Sequence, residues 1–421
     1  MFERVSKIYH EYPAKFWMVI LVSFIEGIGS TMLFPFFSLY ITQRFNVGME
    51  LAGIILGLFS AFGVLGGVLG GALTDKFGRR WLIIFGMVFG AFSTVSLGLV
   101  DKLSLLYPLA VVIGVLTSIG GPATDAMLAD LLPEEQRAEG FGIRRVAGNM
   151  AWIIGPTVGG FVAGHSFLVL FILNAIISLI VAVLFYLLIP ETHPTLAAGR
   201  SQESTLKSIV GYGQVLKDFA FMAFLATSIL MGLVYQQMYN TMPVYLRDVH
   251  GFSTSAYGFM LTSSAITVVL LQFWISRTIK VHPPFLMMAI GSIFYAIGFG
   301  MLGFISAYAM FVLAIVVVTF GEMMIMPTSQ ALTANFASAD MRGRYMAVFG
   351  LAWSVPATFG PGAAGWLLDN FNPNLLWYVG GGLCLVTAFS FYILHLRIGR
   401  QMRFAAQKKE EPVGETLETT V

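Results

Sequence analysis

Two glutamates stand inside long apolar stretches of the sequence, where a charged side chain is costly. Glu26 lies in the stretch 16–42 and Glu322 in the stretch 307–334. If these stretches cross a bilayer as helices, Glu26 lies roughly 15 Å deep and Glu322 at a similar depth. Burial at low dielectric favours the neutral carboxyl group, which releases its proton when water enters. The pair is therefore a candidate for proton exchange or for binding a cation; the alternative is a protonated glutamate that bonds to a neighbouring helix.

Further polar side chains are candidates for ligand contact. Asp125 and Gln330 each follow a proline by three residues and could line a vestibule, although Asp125 could equally bond to Arg144 or Arg145. Trp353 could stack on a flat apolar ligand. Five neighbouring side chains in the stretch 218–246 suit hydrogen bonding to a ligand, an outer gate or polar packing between helices: Tyr235, Gln236, Gln237, Tyr239 and Asn240.

The composition explains why these side chains stand out. Hydrophobic residues make up 57% of the 421-residue chain and charged residues only 11%, against roughly 25% in soluble domains. This excludes a soluble enzyme, a disordered chain and, with a net charge of +2, a nucleic-acid binder that relies on charge. The single cysteine, Cys384, excludes a fold held by internal disulfides. No metal-ligand spacing, phosphate-binding loop or nucleophile–base pair is present, so we expect no metal, no cofactor and no enzymatic activity.

Long apolar stretches predict an all-α membrane protein. Runs such as 172–188 show no alternation of apolar and polar residues, which excludes the strands of a membrane barrel. The first stretch is too long for a cleaved signal and is interpreted as a retained span. About 20 residues suffice to cross the hydrocarbon core. The twelve predicted spans, numbered 1 to 12 in chain order, are 16–42, 49–74, 80–99, 104–131, 141–163, 166–189, 218–246, 254–279, 283–304, 307–334, 343–368 and 374–397.

The positions of the basic residues predict the orientation of the spans. With the N-terminus placed inside, the inside segments carry nearly all of the 24 Lys and Arg residues; only Arg44, Lys102 and Arg247 fall outside. Basic residues concentrate on the cytoplasmic side, so both termini are predicted to be cytoplasmic. The longest polar gap divides the spans six and six. The predicted units are a first bundle at 1–189, a cytoplasmic linker at 190–217, a second bundle at 218–398 and a cytoplasmic tail at 399–421.

An internal repeat relates the two predicted bundles. A shift of 205 residues superimposes prolines, an arginine and a Gly-Pro pair at equivalent places in the spans. The shift covers six spans, an even number, so the two copies have the same orientation and are related by an axis along the membrane normal. This arrangement predicts a central cavity between two halves that rock against each other. The matched residues are Pro122 with Pro327, Arg137 with Arg342, and Gly155-Pro156 with Gly360-Pro361.

The connection between spans 2 and 3 carries a recognisable pattern. Residues 71–80 read GALTDKFGRR, which resembles the signature G-x-L-x-D-R/K-x-G-R-R/K of the major facilitator superfamily. In that family the acid matching Asp75 docks on the start of span 11, and the arginine matching Arg79 pairs with an acid at the end of span 4, which here is Asp130. The alternative is a simple basic turn. The resemblance implies a cytoplasmic gate that comprises Gly71, Asp75, Gly78, Arg79, Arg80 and Asp130.

Span 5 carries a second pattern of this family. It resembles the G-P-x-x-G-G element of the twelve-span drug/proton antiporters, and span 11 repeats part of it. Such an element either packs helices closely as a hinge or sets the direction of transport. Span 4 departs from the family, because it lacks the arginine that many proton-coupled members carry. The predicted hinge and packing residues are Gly148, Gly155, Pro156, Gly159, Gly160, Gly360 and Pro361.

The resemblance implies a secondary transporter with alternating access. The leading hypothesis is proton-coupled efflux of amphipathic or cationic drug-like compounds. The alternatives are a narrow-specificity carrier, exporter or proton symporter, of a sugar, metabolite or lipid-like solute, and a membrane receptor or scaffold without transport. No mid-span Arg or Lys is seen, which disfavours carboxylate and phosphate ligands. The expected partners are a small-molecule substrate, protons and the lipid bilayer, without nucleic acid. The expected state is a monomer in a prokaryotic inner membrane.

Overall fold

The computed structural model describes residues 11–192, 212–338 and 341–410. All regular structure in these ranges is helical. Eleven helical segments are long and apolar enough to cross a membrane, and each overlaps one predicted span to within a few residues. Their bounds are Ala14–Phe45, Met49–Thr74, Arg79–Leu99, Leu103–Asp130, Glu139–His165, Phe167–Leu188, Phe219–Asn240, Thr254–Lys280, Pro284–Met301, Tyr308–Phe336 and Leu375–Ile398.

Predicted span 11 is the exception to this agreement. The stretch is helical in two pieces, Arg342–Phe349 and Leu351–Asn370, and the second piece holds Pro356 and Pro361. The second piece, with 20 residues, is long enough to cross a membrane but less apolar than the eleven segments given above. The stretch contains many Gly, Pro and Ser residues, which lower its hydropathy. These small residues allow it to pack closely along span 2. Twelve crossings, the position of the termini and the limits of the two bundles remain predictions.

Spans 1 and 7 are interrupted at positions that the repeat relates to each other. In span 1 a 3-10 turn, Phe34–Phe36, separates the helices Ala14–Leu33 and Phe37–Phe45. In span 7 a short helix, Gln237–Asn240, follows Phe219–Tyr235. Helix Met242–His250 then completes span 7, and span 4 is likewise divided into Leu103–Ser118 and Gly120–Asp130. The interruptions bring backbone and side-chain polar groups to mid-span, where cavities can use them.

Hydrogen bonds also repeat between the halves. The Tyr40 hydroxyl donates to the carbonyl oxygen of Leu97 at 2.5 Å, and the Tyr245 hydroxyl donates to that of Leu302 at 3.0 Å. Both residues of the second pair lie 205 positions after those of the first. The first six spans, the N-half, and the last six, the C-half, therefore share one internal construction.

Glycines and prolines form the contact between the halves. Span 2 packs on span 11, and span 5 packs on span 8. A Cβ on Gly53 would collide with the carbonyl oxygen of Pro361, and a Cβ on Gly258 would lie 2.8 Å from that of Pro156. A Cβ on Gly160 would lie 3.0 Å from the Cα of Gly258. The Gly-Pro elements of spans 5 and 11 thus make repeat-related contacts across the molecule, which is close packing of the kind small residues permit.

The end of the bundle that carries most of the arginines is called the basic end here. A Cβ on Gly67, Gly71 or Gly148 would meet no heavy atom within 4 Å. Gly148 therefore makes no close helix contact in this conformation, and its hinge or packing role stays a prediction. At the other end, called the sealed end, the Arg247 guanidinium donates to the Thr42 hydroxyl at 2.9 Å across the halves. This bond joins the two halves at the sealed end.

Candidate functional site

Two cavities lie between and within the halves. The first, the N-side compartment, has a volume of about 880 Å³ and is lined mainly by spans 1, 2, 3 and 4, with Glu26 in its wall. The second, the C-side compartment, has a volume of about 390 Å³ and contains Glu322. Phe34 and Gln236 line both cavities. These volumes fall in the range of small-molecule sites.

The carboxyl group of Glu322 faces the C-side compartment from span 10. Its Oε1 accepts a hydrogen bond of 3.0 Å from the Tyr235 hydroxyl, and the Tyr235 and Tyr239 hydroxyls are 3.1 Å apart. No described basic side chain forms an ion pair with Glu322. A half-buried carboxyl group with one neutral partner retains capacity for a proton or a cation.

Aromatic rings form the walls around this carboxyl group. The ring centroids of Trp152 and Tyr239 are 5.0 Å apart, and those of Tyr235 and Trp353 are 6.0 Å apart at nearly right angles. Phe34, at the break in span 1, lies 6.3 Å from both Trp152 and Tyr239. Such ring faces attract cations as well as apolar groups. The compartment therefore combines an apolar aromatic wall with a single acid.

Glu26 points into the N-half rather than toward Glu322. Its carboxylate oxygens accept from the Ser178 hydroxyl of span 6 at 3.1 and 3.2 Å. Neighbouring Asn174 also lines the N-side compartment. The two acids therefore occupy adjacent compartments that meet at Phe34 and Gln236. Helix rotation decides this difference, because depth along a span does not specify which side of the helix a residue occupies.

The polar residues of span 7 divide between cavity walls and internal packing. Tyr235, Gln236 and Tyr239 line the C-side compartment, and Gln236 and Asn240 line the N-side compartment. Gln237 is buried and lines neither; its amide donates to the Leu233 carbonyl at 2.7 Å and accepts from Thr241 at 2.6 Å. Of the roles considered for these residues, internal polar packing therefore applies to Gln237.

Adjacent arginines on span 5 bind the two repeat-related polar residues near the basic end. Arg144 forms an ion pair with Asp125 in its own half. Arg145 donates a hydrogen bond of 2.8 Å to the Gln330 amide oxygen in the other half. Asp125 lines neither compartment. Its predicted vestibule position is replaced by the ion-pair alternative.

The connection between spans 2 and 3 is held by acids from elsewhere in the N-half. Arg79 Nε lies 3.0 Å from Asp130 Oδ2, with side chains 10% and 24% exposed. Gly78 has a positive φ of 87°, which favours glycine. The side chain of Asp75 lies outside the described atoms, so its docking on span 11 stays a prediction, as does the gating role of this segment.

Glu191 completes this arrangement from the start of the predicted linker. Its carboxylate accepts from the backbone N–H groups of Arg79 and Arg80 at 2.9 and 3.1 Å. The helix that begins at Arg79 has no side-chain cap of its own. A carboxylate at a helix N-terminus is favourable because unpaired N–H groups point toward it. The linker is thus anchored to the start of span 3.

The sealed end contains a similar cap that joins the two halves. Gly48 precedes the helix of span 2 and supplies no side-chain cap. The Asp369 carboxylate of span 11 acts as the cap instead. It accepts hydrogen bonds from the backbone N–H groups of Met49 at 3.0 Å and Glu50 at 2.8 Å. A Cβ on Gly48 would collide with this carboxylate.

Several lining residues were not identified from the sequence. Arg145 lies four residues into predicted span 5, among the basic residues assigned to the inside segments, and its side chain lines the C-side compartment. Ser178 gives no sequence signal, because one serine in an apolar span is common. The described residues contain no group of three or more His, Cys, Asp or Glu that could hold a metal ion. The missed lining residues are Phe34, Arg145, Asn149, Trp152, Gln272 and Ser178.

Family comparison agrees with the helical halves and their central cavities. The model of the Major Facilitator Superfamily matches residues 19–361 and 250–417. The chain belongs to this superfamily and is a multi-pass membrane transporter.

Individual relatives are distant. A Na(+), Li(+), K(+)/H(+) antiporter of Planococcus maritimus is 26% identical over 78% of this chain and 84% of the relative. The multidrug resistance protein MdtH of Shigella dysenteriae serotype 1 is 23% identical over 90% of this chain and 92% of the relative. The crystal structure of the nucleoside transporter NupG has a TM-score of 0.76 at 16% identity, covering 91% of this chain and 99% of that one. That structure is evidence for the fold alone.

Proposed function

We propose that this transporter exports amphipathic cationic compounds in exchange for protons. The observation that carries the proposal is the Glu322 carboxyl group, which lies in an aromatic compartment with the Tyr235 hydroxyl as partner and no described basic residue in ion-pair contact. An organic cation fits this wall, because rings stack on its apolar part while the acid compensates its charge.

Competition at one acid would couple the two fluxes. A carboxyl group at low dielectric needs a proton or a cation to balance its charge. When the compartment opens to the basic end, a cationic substrate displaces the proton from Glu322. When it opens to the sealed end, a proton displaces the substrate. Each occupant excludes the other, so the exchange requires no second energy source.

The names of two relatives support exchange of cations for protons. One is an antiporter of alkali cations and protons, and the other is a multidrug resistance protein. A cavity of about 390 Å³ with aromatic walls suits an organic cation better than a bare ion, which needs several oxygen ligands at short range. The relatives are bacterial, and we assign the chain to a bacterial inner membrane on that ground.

Exchange of an alkali cation for protons is the second candidate. It is favoured by Glu26 in the N-side compartment, where two carboxylate oxygens and the Ser178 hydroxyl oxygen converge within 3.1 and 3.2 Å. Hard cations prefer such oxygen ligands. This function would use the N-side compartment and leave Glu322 dispensable.

Proton release from acid-loaded proteoliposomes tests both functions. A pH-sensitive dye inside the vesicles reports proton efflux after addition of tetraphenylphosphonium or of Na⁺. We expect a response to tetraphenylphosphonium that Glu322→Gln abolishes and that Asp101→Asn, a change at an exposed loop acid, leaves intact. A response to Na⁺ alone, lost in Glu26→Gln and kept in Glu322→Gln, would replace the first function by the second.

A further inference from the structure

Arg145 gives the C-side compartment a positive charge in addition to Glu322. The arginine lies on the helix Glu134–His165, and its side chain lines the cavity with Asn149 and Trp152, one and two turns further along. A cavity intended for cations alone has no use for a guanidinium group, which repels them.

The guanidinium of Arg145 contacts an amide rather than an acid among the described residues. Its neighbour Arg144 is paired with Asp125, whereas Arg145 bonds to the uncharged amide oxygen of Gln330 at 2.8 Å. No described carboxylate forms an ion pair with Arg145. A guanidinium has five N–H donors, and Gln330 accepts one of them. The remaining donors suit bidentate contact with a planar anion such as a carboxylate.

The two charges stand at opposite ends of one compartment. Gln330, which contacts Arg145, follows Glu322 by eight residues on the same helix, a separation of about 12 Å along the axis. Trp152, Tyr239 and Trp353 lie in the wall of the same cavity. The compartment therefore presents an acid surrounded by aromatic rings and, about 12 Å nearer the basic end, a guanidinium.

We propose that the preferred ligand of the C-side compartment is amphoteric: an elongated aromatic molecule with an ammonium group at one end and a carboxylate at the other. The ammonium pairs with Glu322, the rings stack in the aromatic section, and the carboxylate pairs with Arg145. This inference rests on the proposed function and refines its substrate class from cations to zwitterions. It reverses the sequence-based expectation that no cavity arginine is present to receive a carboxylate.

Three matched compounds test the assignment on the purified full-length protein. The zwitterion is 4′-(aminomethyl)biphenyl-4-carboxylic acid, its methyl ester is the cation-only analogue, and 4′-methylbiphenyl-4-carboxylic acid is the anion-only analogue. Binding is measured by isothermal titration. We expect the wild type to bind the zwitterion about tenfold or more tightly than either analogue, because each analogue lacks one charged hydrogen-bonded contact.

Substitutions then separate the two ends. Arg145→Gln should weaken binding of the zwitterion by about tenfold and leave binding of the ester unchanged. Arg145→Lys should restore part of the lost affinity for the zwitterion. Glu322→Gln should weaken binding of the zwitterion and of the ester to the same extent. The matched control is Arg144→Gln, which removes the neighbouring charge outside the cavity and should leave the preference intact. Equal losses of zwitterion and ester in Arg145→Gln, or a wild type that prefers the ester, would overturn the amphoteric site.

Failure of this inference is distinguishable from failure of the proposed function. Proton exchange driven by tetraphenylphosphonium does not involve Arg145. If that exchange persists while the zwitterion preference is absent, only the amphoteric site is refuted. If the exchange and the preference are both absent, the proposed function fails as well.

Discussion

Asp369 caps a helix that begins 320 residues earlier in the chain. Its carboxylate accepts a hydrogen bond of 3.0 Å from the backbone N–H of Met49, at the start of span 2. The contact joins the C-half to the N-half at the sealed end. A conformation in which the halves separate at the sealed end must therefore break this bond.

Asp369→Asn should shift the molecule toward closure of the basic end. The substitution removes the charge that the N-terminus of span 2 favours, a loss of about 0.3–1 kcal/mol or more where the contact is partly buried. Spin labels at Ala72→Cys and Met346→Cys, near the basic end of spans 2 and 11, report the population by pulsed distance measurement. The matched control is Asp101→Asn, a change at an exposed loop acid. An identical distance distribution in Asp369→Asn and wild type would show that the contact between Asp369 and the start of span 2 does not hold the two halves in this conformation.

Gly258→Ala should impair transport and stability together. The added Cβ would lie 2.8 Å from the carbonyl oxygen of Pro156, so spans 5 and 8 must move apart. Overpacking of this kind costs about 1–3 kcal/mol. Thermal unfolding in detergent and transport in proteoliposomes measure the two effects. Gly382→Ala is the control, because its Cβ would meet no heavy atom within 4 Å; equal behaviour of both variants would count against the seal.

Tyr235→Phe should slow proton-coupled exchange without abolishing it. The substitution removes the hydroxyl that donates to Glu322 at 3.0 Å and retains the ring that packs on Trp353. Loss of one hydrogen bond to a charged group costs on the order of 1.5–3 kcal/mol, so we expect a decrease of about tenfold or more in the rate of dye-reported exchange. Tyr295→Phe serves for comparison, because the buried Tyr295 hydroxyl has no hydrogen-bond partner in the described structure. If Tyr295→Phe slows exchange as much as Tyr235→Phe, the specific role of that hydrogen bond is refuted.

Arg79 and Asp130 should act as one unit. Either Arg79→Gln or Asp130→Asn breaks the 3.0 Å contact, and the double substitution should cost little more than one alone. Thermal unfolding of the four proteins gives the coupling energy. Strictly additive effects would show that the contact does not link spans 3 and 4 energetically.

The sequence predicts the positions of the helical spans well, but it does not predict which side of each helix faces a cavity. Eleven predicted spans agree with the structure because hydropathy, charges and prolines specify where a helix enters and leaves the bilayer. Span 11 differs because its glycines and prolines serve contact with span 2. The depth of an acidic residue along its span is also predictable, because the rise per residue of an α-helix is fixed.

The arrangement of the site depends on rotation and tilt, which one sequence does not specify. Glu26 and Glu322 have similar predicted depths, yet they line different compartments. Gly148 shares the pattern of Gly155, yet a Cβ on Gly148 meets nothing while one on Gly155 collides with Thr31. Arg145 belongs to the basic residues assigned to the inside segments, yet its side chain lines the C-side compartment.

The seal between Gly53 and Pro361 and its counterpart between Gly258 and Pro156 constrain how the chain can evolve. These contacts use backbone atoms and hydrogens, so almost any new side chain at the glycines is selected against. The aromatic section of the C-side compartment has no such restriction, because one ring can replace another without separating the halves. Substitutions can therefore accumulate in the compartment wall while the contacts between the halves stay constant.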